Sequence, residues 1–351
     1  MPPIRFSVNV FCAAKRTFSS IFIWFVTKEL RWLDGARAVK KTRVDEFVWL
    51  VPRFPPRKGH FPPRKGQSGG GRKCTFPPDL AYWTAMRTLA IRPGAIGDLI
   101  LSLPALECLN HGFLEVWTAG AAVPLVRFAD RVRSIRSTGI DLLGVAAPPP
   151  ALLPELRGFD RIVSWYGANR PDFVGLTRSL ELPFEFLRAL PPDGAGGHAA
   201  DFFLGQVAAL GDCHGRPARA VPRLPCSALR GDFAAIHPFS GSPRKNWPLA
   251  RFRALARAIG RLMPVRWCAG PEDPPLAGAV RIDNLYDLAC WLAQARLYIG
   301  NDSGITHLAA AAGAPVLALF GPTDPGVWAP RGPHVRVVRW PTDAATALTV
   351  D

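Results

Sequence analysis

The sequence predicts an α/β protein made of two successive parallel-sheet halves. Three observations carry this. Short apolar runs alternate with helix-compatible segments from Thr88 to Phe320, the pattern of parallel strands with helices on both faces. The alternation stops in a Pro/Arg-rich stretch over Gly211–Gly231 and then restarts. Polar or glycine-containing turns fall where strands pass into helices, the end of a parallel sheet at which ligands bind.

The elements follow in order. Thr88–Arg92 reads as the first strand, and a Gly-rich turn leads into a helix running to Asn110. Pro104 lies inside that helix and predicts a kink or restart. Leu114–Thr118 and Arg161–Tyr166 read as strands, and His198–Leu210 as a helix. The second half begins with a strand at Phe233–His237, a helix at Leu249–Leu262 and a strand at Val265–Ala269. A short strand at Val280–Asp283 and a helix at Leu285–Ala295 follow. Leu297–Gly300, Ser303–Ala312 and Val316–Phe320 complete the pattern as strand, helix and strand. The expected organisation is an extension over 1–85, one half over 86–215, a linker over 216–231 and a second half over 232–351.

The net charge of +16 is unevenly spread. Residues 1–85 hold 16 Lys/Arg against 5 Asp/Glu, and residues 86–351 hold 27 against 22. The first 85 residues also repeat Phe54-Pro55-Pro56-Arg57-Lys58-Gly59 at Phe61–Gly66 and contain the Gly/Ser stretch Ser68–Gly71. This composition favours disorder. It reads either as a basic arm for a membrane surface or nucleic acid, or as a start set too far upstream, since Met86 directly precedes the first strand. The apolar run Ile21–Val26 is too short to span a bilayer. Seven cysteines lie scattered with no C-x-x-C pair, which indicates neither a zinc site nor a disulfide framework and fits a cytoplasmic setting.

Four loops carry candidate chemistry. Asn301-Asp302-Ser303-Gly304 opens a helix after a buried strand. The unpaired N–H groups of its first turn and the helix dipole favour an anion, with His307 one turn on along the same face. An ordinary N-cap at Asp302 or Ser303 explains the same residues. In the first half, Gly94 and Gly97 permit a tight turn, and Asp98 stands at the helix start, either as a general base or as a cap. In the second half, Ser240-Gly241-Ser242 offer hydroxyl and backbone donors, and Arg244 and Lys245 add charge suited to a pyrophosphate. Trp247 is expected to anchor this loop. Glu272 can accept hydrogen bonds from ribose hydroxyls, or simply solvate its turn. Thr323 and Asp324, leaving the last strand, either touch a ligand in the cleft or form a plain Pro-bounded turn.

Taken together these loops resemble glycosyltransferase family 9, the ADP-heptose:lipopolysaccharide heptosyltransferases. The resemblance covers about residues 86–340. It rests on Arg92–Asp98 with Leu103–Leu106, on His237–Pro248, on Asn301–Gly304 with His307, and on Leu319–Thr323. It implies the GT-B fold, two Rossmann-like halves facing a cleft, with the acceptor on the first half and the nucleotide sugar on the second. It implies that Asp98 is the catalytic base. It also implies that Ser240, Lys245, Glu272, Asp302, Ser303, Gly304 and His307 hold the nucleotide diphosphate or its sugar. Two departures stand out. Phe239 replaces a smaller or hydroxyl residue, and the tail after Trp340 is short for a closing C-terminal helix.

The expected reaction is transfer of a sugar, a heptose from ADP-heptose, to a hydroxyl of a lipopolysaccharide core or related glycan, with inversion. No metal or other cofactor is expected, since helix dipole and lysine can meet the diphosphate charge. The expected partners are a nucleotide-diphosphate sugar and an anionic glycolipid acceptor, with no nucleic acid. The chain is expected to be monomeric and cytoplasmic, peripheral at the inner face of the membrane. Arg127, Arg131, Arg133 and Arg136 are candidates to face acidic acceptor sugars or the membrane, or are simply solvated. Two other readings stay open: a non-catalytic sugar-nucleotide-binding relic, and a nucleotide-dependent oxidoreductase. The missing G-x-G-x-x-G spacing argues against the latter.

Overall fold

The computed structural model describes residues 86–340, apart from 195, 214–219 and 228. The basic extension over 1–85 and the tail from Pro341 lie outside the described residues. The described residues fall within one compact unit.

The first half contains β1 (Arg87–Arg92), α1 (Ile96–Cys108), β2 (Phe113–Thr118), β3 (Arg131–Ser134), α2 (Leu152–Arg157), β4 (Arg161–Ser164), α3 (Pro171–Ser179), β5 (Phe184–Phe186) and α4 (Ala199–Ala209). Its five parallel strands are ordered β3-β2-β1-β4-β5. The second half contains β6 (Ala234–His237), α5 (Leu249–Ile259), β7 (Val265–Trp267), α6 (Leu285–Ala293), β8 (Leu297–Asn301), α7 (Gly304–Ala311), β9 (Val316–Phe320), α8 (Pro325–Trp328) and β10 (Val335–Arg339). Its strands are also all parallel, ordered β10-β9-β8-β6-β7. The expected GT-B plan of two parallel-sheet halves is the one observed.

In each sheet the order reverses once, beside β1 and beside β6. Loops diverge at such a point and leave a crevice at the carboxyl ends of the strands. The central strands are buried on both faces, with Leu89, Ala90 and Ile91 fully covered in β1 and Ala234, Ala235 and Ile236 in β6. That is why their sequences read as unbroken apolar runs rather than alternations.

Two local expectations, a helix restart at Pro104 and a strand at Val280–Asp283, need correction. α1 continues through Pro104 without a break. Leu103, Ala105 and Leu106 around it are buried in the main core, so packing holds the helix despite one lost hydrogen bond. Val280–Asp283 does not form a strand. Val280 makes a single parallel bridge with Cys268, because β7 is the edge of its sheet and the chain only touches it before turning into α6.

The halves meet through helices. α1 and α7 pack together within one continuous core that also includes α4 and α6. Around this core lie polar clasps. His198, the N-cap of α4, contacts the Ala329 carbonyl at 2.7 Å. Arg331 donates to both oxygens of Asp201 at 2.5 and 2.6 Å and to the Ala220 carbonyl. The Arg127 guanidinium lies 4.6 Å from the ring centre of Tyr286 on α6.

Candidate active site

The site is built where α1 and α7 begin. β1 ends in Arg92-Pro93-Gly94, and Gly94 takes φ 139°, a conformation open to glycine. This sharp turn delivers the chain to α1, whose N-cap is Ala95 with no side-chain cap. Asp98 is the third residue of the helix, half-buried, and its side chain does not cap the helix. The first-turn N–H groups of α1 therefore open into the crevice unopposed. Asp98 is held from behind: its carbonyl accepts from Ser102 Oγ at 2.6 Å and from Arg92 at 3.5 Å. Arg92 is buried between Ser102 Oγ, 2.8 Å away, and the rings of Phe203 and Trp165. Burial draws its guanidinium down to about 10, against the nearby Asp98 charge, which raises it; the side chain remains a cation at neutral pH.

α7 begins opposite. Asn301, the last residue of β8, is fully buried and ties the two ends of the β6–α5 loop to its own strand. Its Oδ1 accepts from the Trp247 amide at 2.9 Å, and its Nδ2 donates to the Pro238 carbonyl at 2.8 Å. Ser303 is the N-cap, its hydroxyl accepting from the Thr306 amide. Thr306 Oγ1 in turn donates to the Asn301 carbonyl. The capping explanation is thus real for Ser303, yet it occupies only one first-turn donor and leaves the others facing the crevice.

Two glycines let these helix mouths touch. A Cβ on Gly304 would lie 2.8 Å from Ile96 Cβ and 3.2 Å from the Gly97 amide nitrogen. A Cβ on Gly97 would lie 3.2 Å from His307 Cδ2. The resulting cavity, about 360 Å³, is lined by Ala95, Gly97, Asp98 and Leu101 from α1, and by Asp302, Ser303, Gly304 and His307 from α7 and its loop. Gly241, Ser242 and Lys245 close a third side, Thr323 and Trp328 a fourth.

Two carboxylates, Asp98 and Asp302, and one lysine, Lys245, line the cavity. Lys245 Nζ lies 2.8 Å from Asp302 Oδ2, which also accepts from Thr323 Oγ1 at 2.6 Å. His307 is buried, and its Nδ1 has no hydrogen-bond partner. Burial lowers its pKa to about 4; Asp302 pulls the other way, while His198 and Lys245 add to the lowering. It is therefore neutral at physiological pH. The cavity's attraction for an anion then comes from two helix mouths and from one lysine already shared with Asp302, rather than from free positive side chains.

The other candidates fall outside the lining. Ser240 holds its loop in shape, its hydroxyl lying 2.7 Å from the Ser242 carbonyl and 2.8 Å from Asn246 Oδ1. Gly94 shapes the turn behind Asp98. Glu272 is exposed; its neighbour Asp273 turns inward, accepting from the Gly270 amide at 2.6 Å and lying 2.9 Å from His237 Nε2. Trp247 is buried against Phe252, rings 5.1 Å apart edge to face, and anchors the basic loop from below. Phe239 is buried edge-on to His237 rather than facing the cavity. Asp324 caps α8 through the Gly326 amide. Arg131 and Arg133 are engaged by Glu115 and Glu155; Arg136 is exposed. Among the described residues no cluster of three or more His, Cys, Asp or Glu could hold a metal ion. The sequence reading missed Leu101 and Trp328, the apolar walls, and Asp273.

Comparison with known proteins bears on the family and the fold. Residues 205–349 match the model of glycosyltransferase family 9 (heptosyltransferase). Among curated relatives, lipopolysaccharide heptosyltransferase 1 of Escherichia coli is 28% identical over 143 residues, 37% of this chain and 43% of that protein. Lipooligosaccharide heptosyltransferase 2 of Haemophilus influenzae is 36% identical over 117 residues, 28% of this chain and 33% of that protein. The chain thus spans less than half the length of the curated relatives it matches. Among solved structures, a family 9 glycosyltransferase of Veillonella parvula has a TM-score of 0.56 at 20% identity, covering 73% of this chain and 88% of that one. The E. coli heptosyltransferase WaaC with ADP has a TM-score of 0.56 at 18% identity, covering 73% and 94%.

Proposed function

We propose, from the match of residues 205–349 to glycosyltransferase family 9, that this chain is a member of that family and transfers a sugar from a nucleoside diphosphate to an acceptor hydroxyl. One observation carries the reading. Asp98 and the open mouth of α7 line the same cavity, so a proton acceptor and an anion site flank one space. A sugar bound there would have its diphosphate on the Ser303–Gly304 turn and Lys245, and the acceptor hydroxyl beside Asp98. The hydroxyl oxygen attacks the anomeric carbon as the bond to the diphosphate oxygen breaks. Asp98 takes the hydroxyl proton, and the negative charge leaving with the diphosphate settles on the helix mouth and the lysine. Attack opposite the leaving group inverts the anomeric centre. No metal is assigned a role, since these donors meet the diphosphate charge.

The relatives named as heptosyltransferases make a heptose from ADP-heptose the donor of choice. Their names, lipopolysaccharide and lipooligosaccharide heptosyltransferase, support a lipopolysaccharide core or related glycan as acceptor; the proposed setting is the cytoplasm, at the membrane surface. Among the described residues no helix is long and apolar enough to cross a membrane.

The test is Asp98→Asn. It preserves size but cannot take a proton at neutral pH. Turnover should fall roughly 10²–10⁴-fold, the usual worth of a positioned base, while ADP affinity and thermal stability stay near wild type. Native-like turnover with a competent acceptor would remove Asp98 from the chemistry.

A further inference from the structure

Between Phe233 and Pro271 the chain holds seven basic residues and no Asp or Glu. Since residues 86–351 carry only +5 in total, the rest of that region is net negative. Lys245, one of the seven, pairs with Asp302 in the cavity, and Arg266 lies over the ring of Phe233. The others gather on and around α5.

α5 is strongly two-sided. Phe252 is fully buried, and Leu249, Leu255, Ala256 and Ile259 pack with it onto the second sheet. Arg253 and Arg257 follow on the opposite side at four-residue spacing, and Arg261 continues the row in the closing turn. Side chains at that spacing are neighbours along one face. All three are exposed, and none has an ion-pair partner among the described residues. Leu262, beside Arg261, is 80% exposed. Three arginines that repel one another without a counter-charge cost stability, and an uncovered leucine gains nothing from folding. Both make sense if something anionic with an apolar interior covers them.

We propose that the outer face of α5, Arg253, Arg257 and Arg261 with Leu262 at its end, is the surface that docks the protein on an anionic lipid bilayer. Arginines at this spacing reach headgroup phosphates in one plane, while Leu262 enters the boundary with the acyl chains. Nucleic acid offers matching phosphates but no apolar layer for Leu262. The loop that closes the cavity, Gly241–Lys245, runs through Trp247 directly into α5, so docking would hold the cavity close to the headgroups. That last link rests on the transferase reading; the docking itself does not.

The experiment uses the full chain with vesicles of phosphatidylcholine mixed with phosphatidylglycerol, against pure phosphatidylcholine. Hydrogen exchange is followed along the sequence, because the basic residues before 86 can also bind such vesicles. Protection over 249–263 with the anionic vesicles alone is the expected result. The variant Arg253→Gln/Arg257→Gln/Arg261→Gln should lower vesicle affinity about 100-fold, since each basic residue near the surface contributes about fivefold, and added salt should shrink the difference. Leu262→Ser should reduce binding further at high salt. Protection confined to residues before 86 would overturn the proposal, as would a variant that loses affinity for single-stranded RNA but not for vesicles. ADP titration of the same variant should match wild type; a loss of ADP binding with vesicle affinity retained would also overturn it. Failure at the membrane would leave the transferase reading to stand or fall on Asp98.

Discussion

Gly304→Ala tests whether the two helix mouths must touch. Two effects oppose each other. Alanine in place of glycine favours a helix by up to about 1 kcal/mol. The new Cβ, however, would sit 2.8 Å from Ile96 Cβ and 3.2 Å from the Gly97 amide nitrogen. Neither atom is the end of a flexible side chain: one is a branched Cβ and the other is backbone. Overpacking of this kind costs about 1–3 kcal/mol, so strain exceeds propensity and the net loss should be about 1–2 kcal/mol. The chain can relieve it only by moving α1 away from α7, which widens the cavity and separates Asp98 from the anion site. Thermal unfolding and ADP titration read the two consequences, and turnover should fall more than ADP affinity, since the proposed nucleotide contacts lie on the second half. Gly175→Ala is the control. It makes the same change inside α3, where a Cβ meets nothing within 4 Å, and should raise stability by about 0.5–1 kcal/mol. If Gly304→Ala were as stable as Gly175→Ala and bound and turned over substrate normally, the close approach of the mouths would be irrelevant.

Two further outcomes follow from the charges in the cavity. Lys245→Ala should weaken ADP binding by about 1–3 kcal/mol, the loss of a charge-assisted contact; an unchanged dissociation constant at low salt would exclude Lys245 from the diphosphate site. His307 should make stability depend on pH. Its pKa is about 4 in the folded protein and near 6.5 when unfolded, so between those values the unfolded chain binds more protons. Stability therefore rises with pH across that window, by about 3 kcal/mol from this group, and His307→Gln should flatten the rise. Asp201 acts in a different window. Burial raises the Asp201 pKa, but the Arg331 and Ala220 hydrogen bonds bring it below its usual value, so its contribution is lost only below about pH 4. A slope between pH 4 and 6.5 that survives His307→Gln would show that another group is responsible.

The central strands and the crevice loops were legible in the sequence because their causes are local. β1 and β8 are buried on both faces, so their composition alone marks them. The turns at Gly94, Ser240 and Ser303 announce themselves by residue types that suit few other purposes. Of the four sheet edges only β7 was legible. β3, β5 and β10 carry Arg131–Ser134, Phe184–Phe186 and Val335–Arg339, short or charge-bearing segments that look like surface. Arg133 looked like a cation free for an acceptor, yet it is bound to Glu115 and Glu155, 18 and 22 residues away. A pair of that kind is settled by strand order, which no local pattern records. The same reasoning separates Glu272 from Asp273. Both acids sit on one turn, and Asp273 faces inward because it meets the Gly270 amide and, on the adjacent strand, His237. It also accounts for Trp328, which reaches the cavity from a one-turn helix held by the Asp324 cap and, just beyond it, by the His198 and Arg331 clasps to the first half. The chemistry-bearing residues could be named from their own loops. Which of them share a cavity depended on how α1 meets α7, and that is fixed by two glycines whose significance lies in the atoms opposite them.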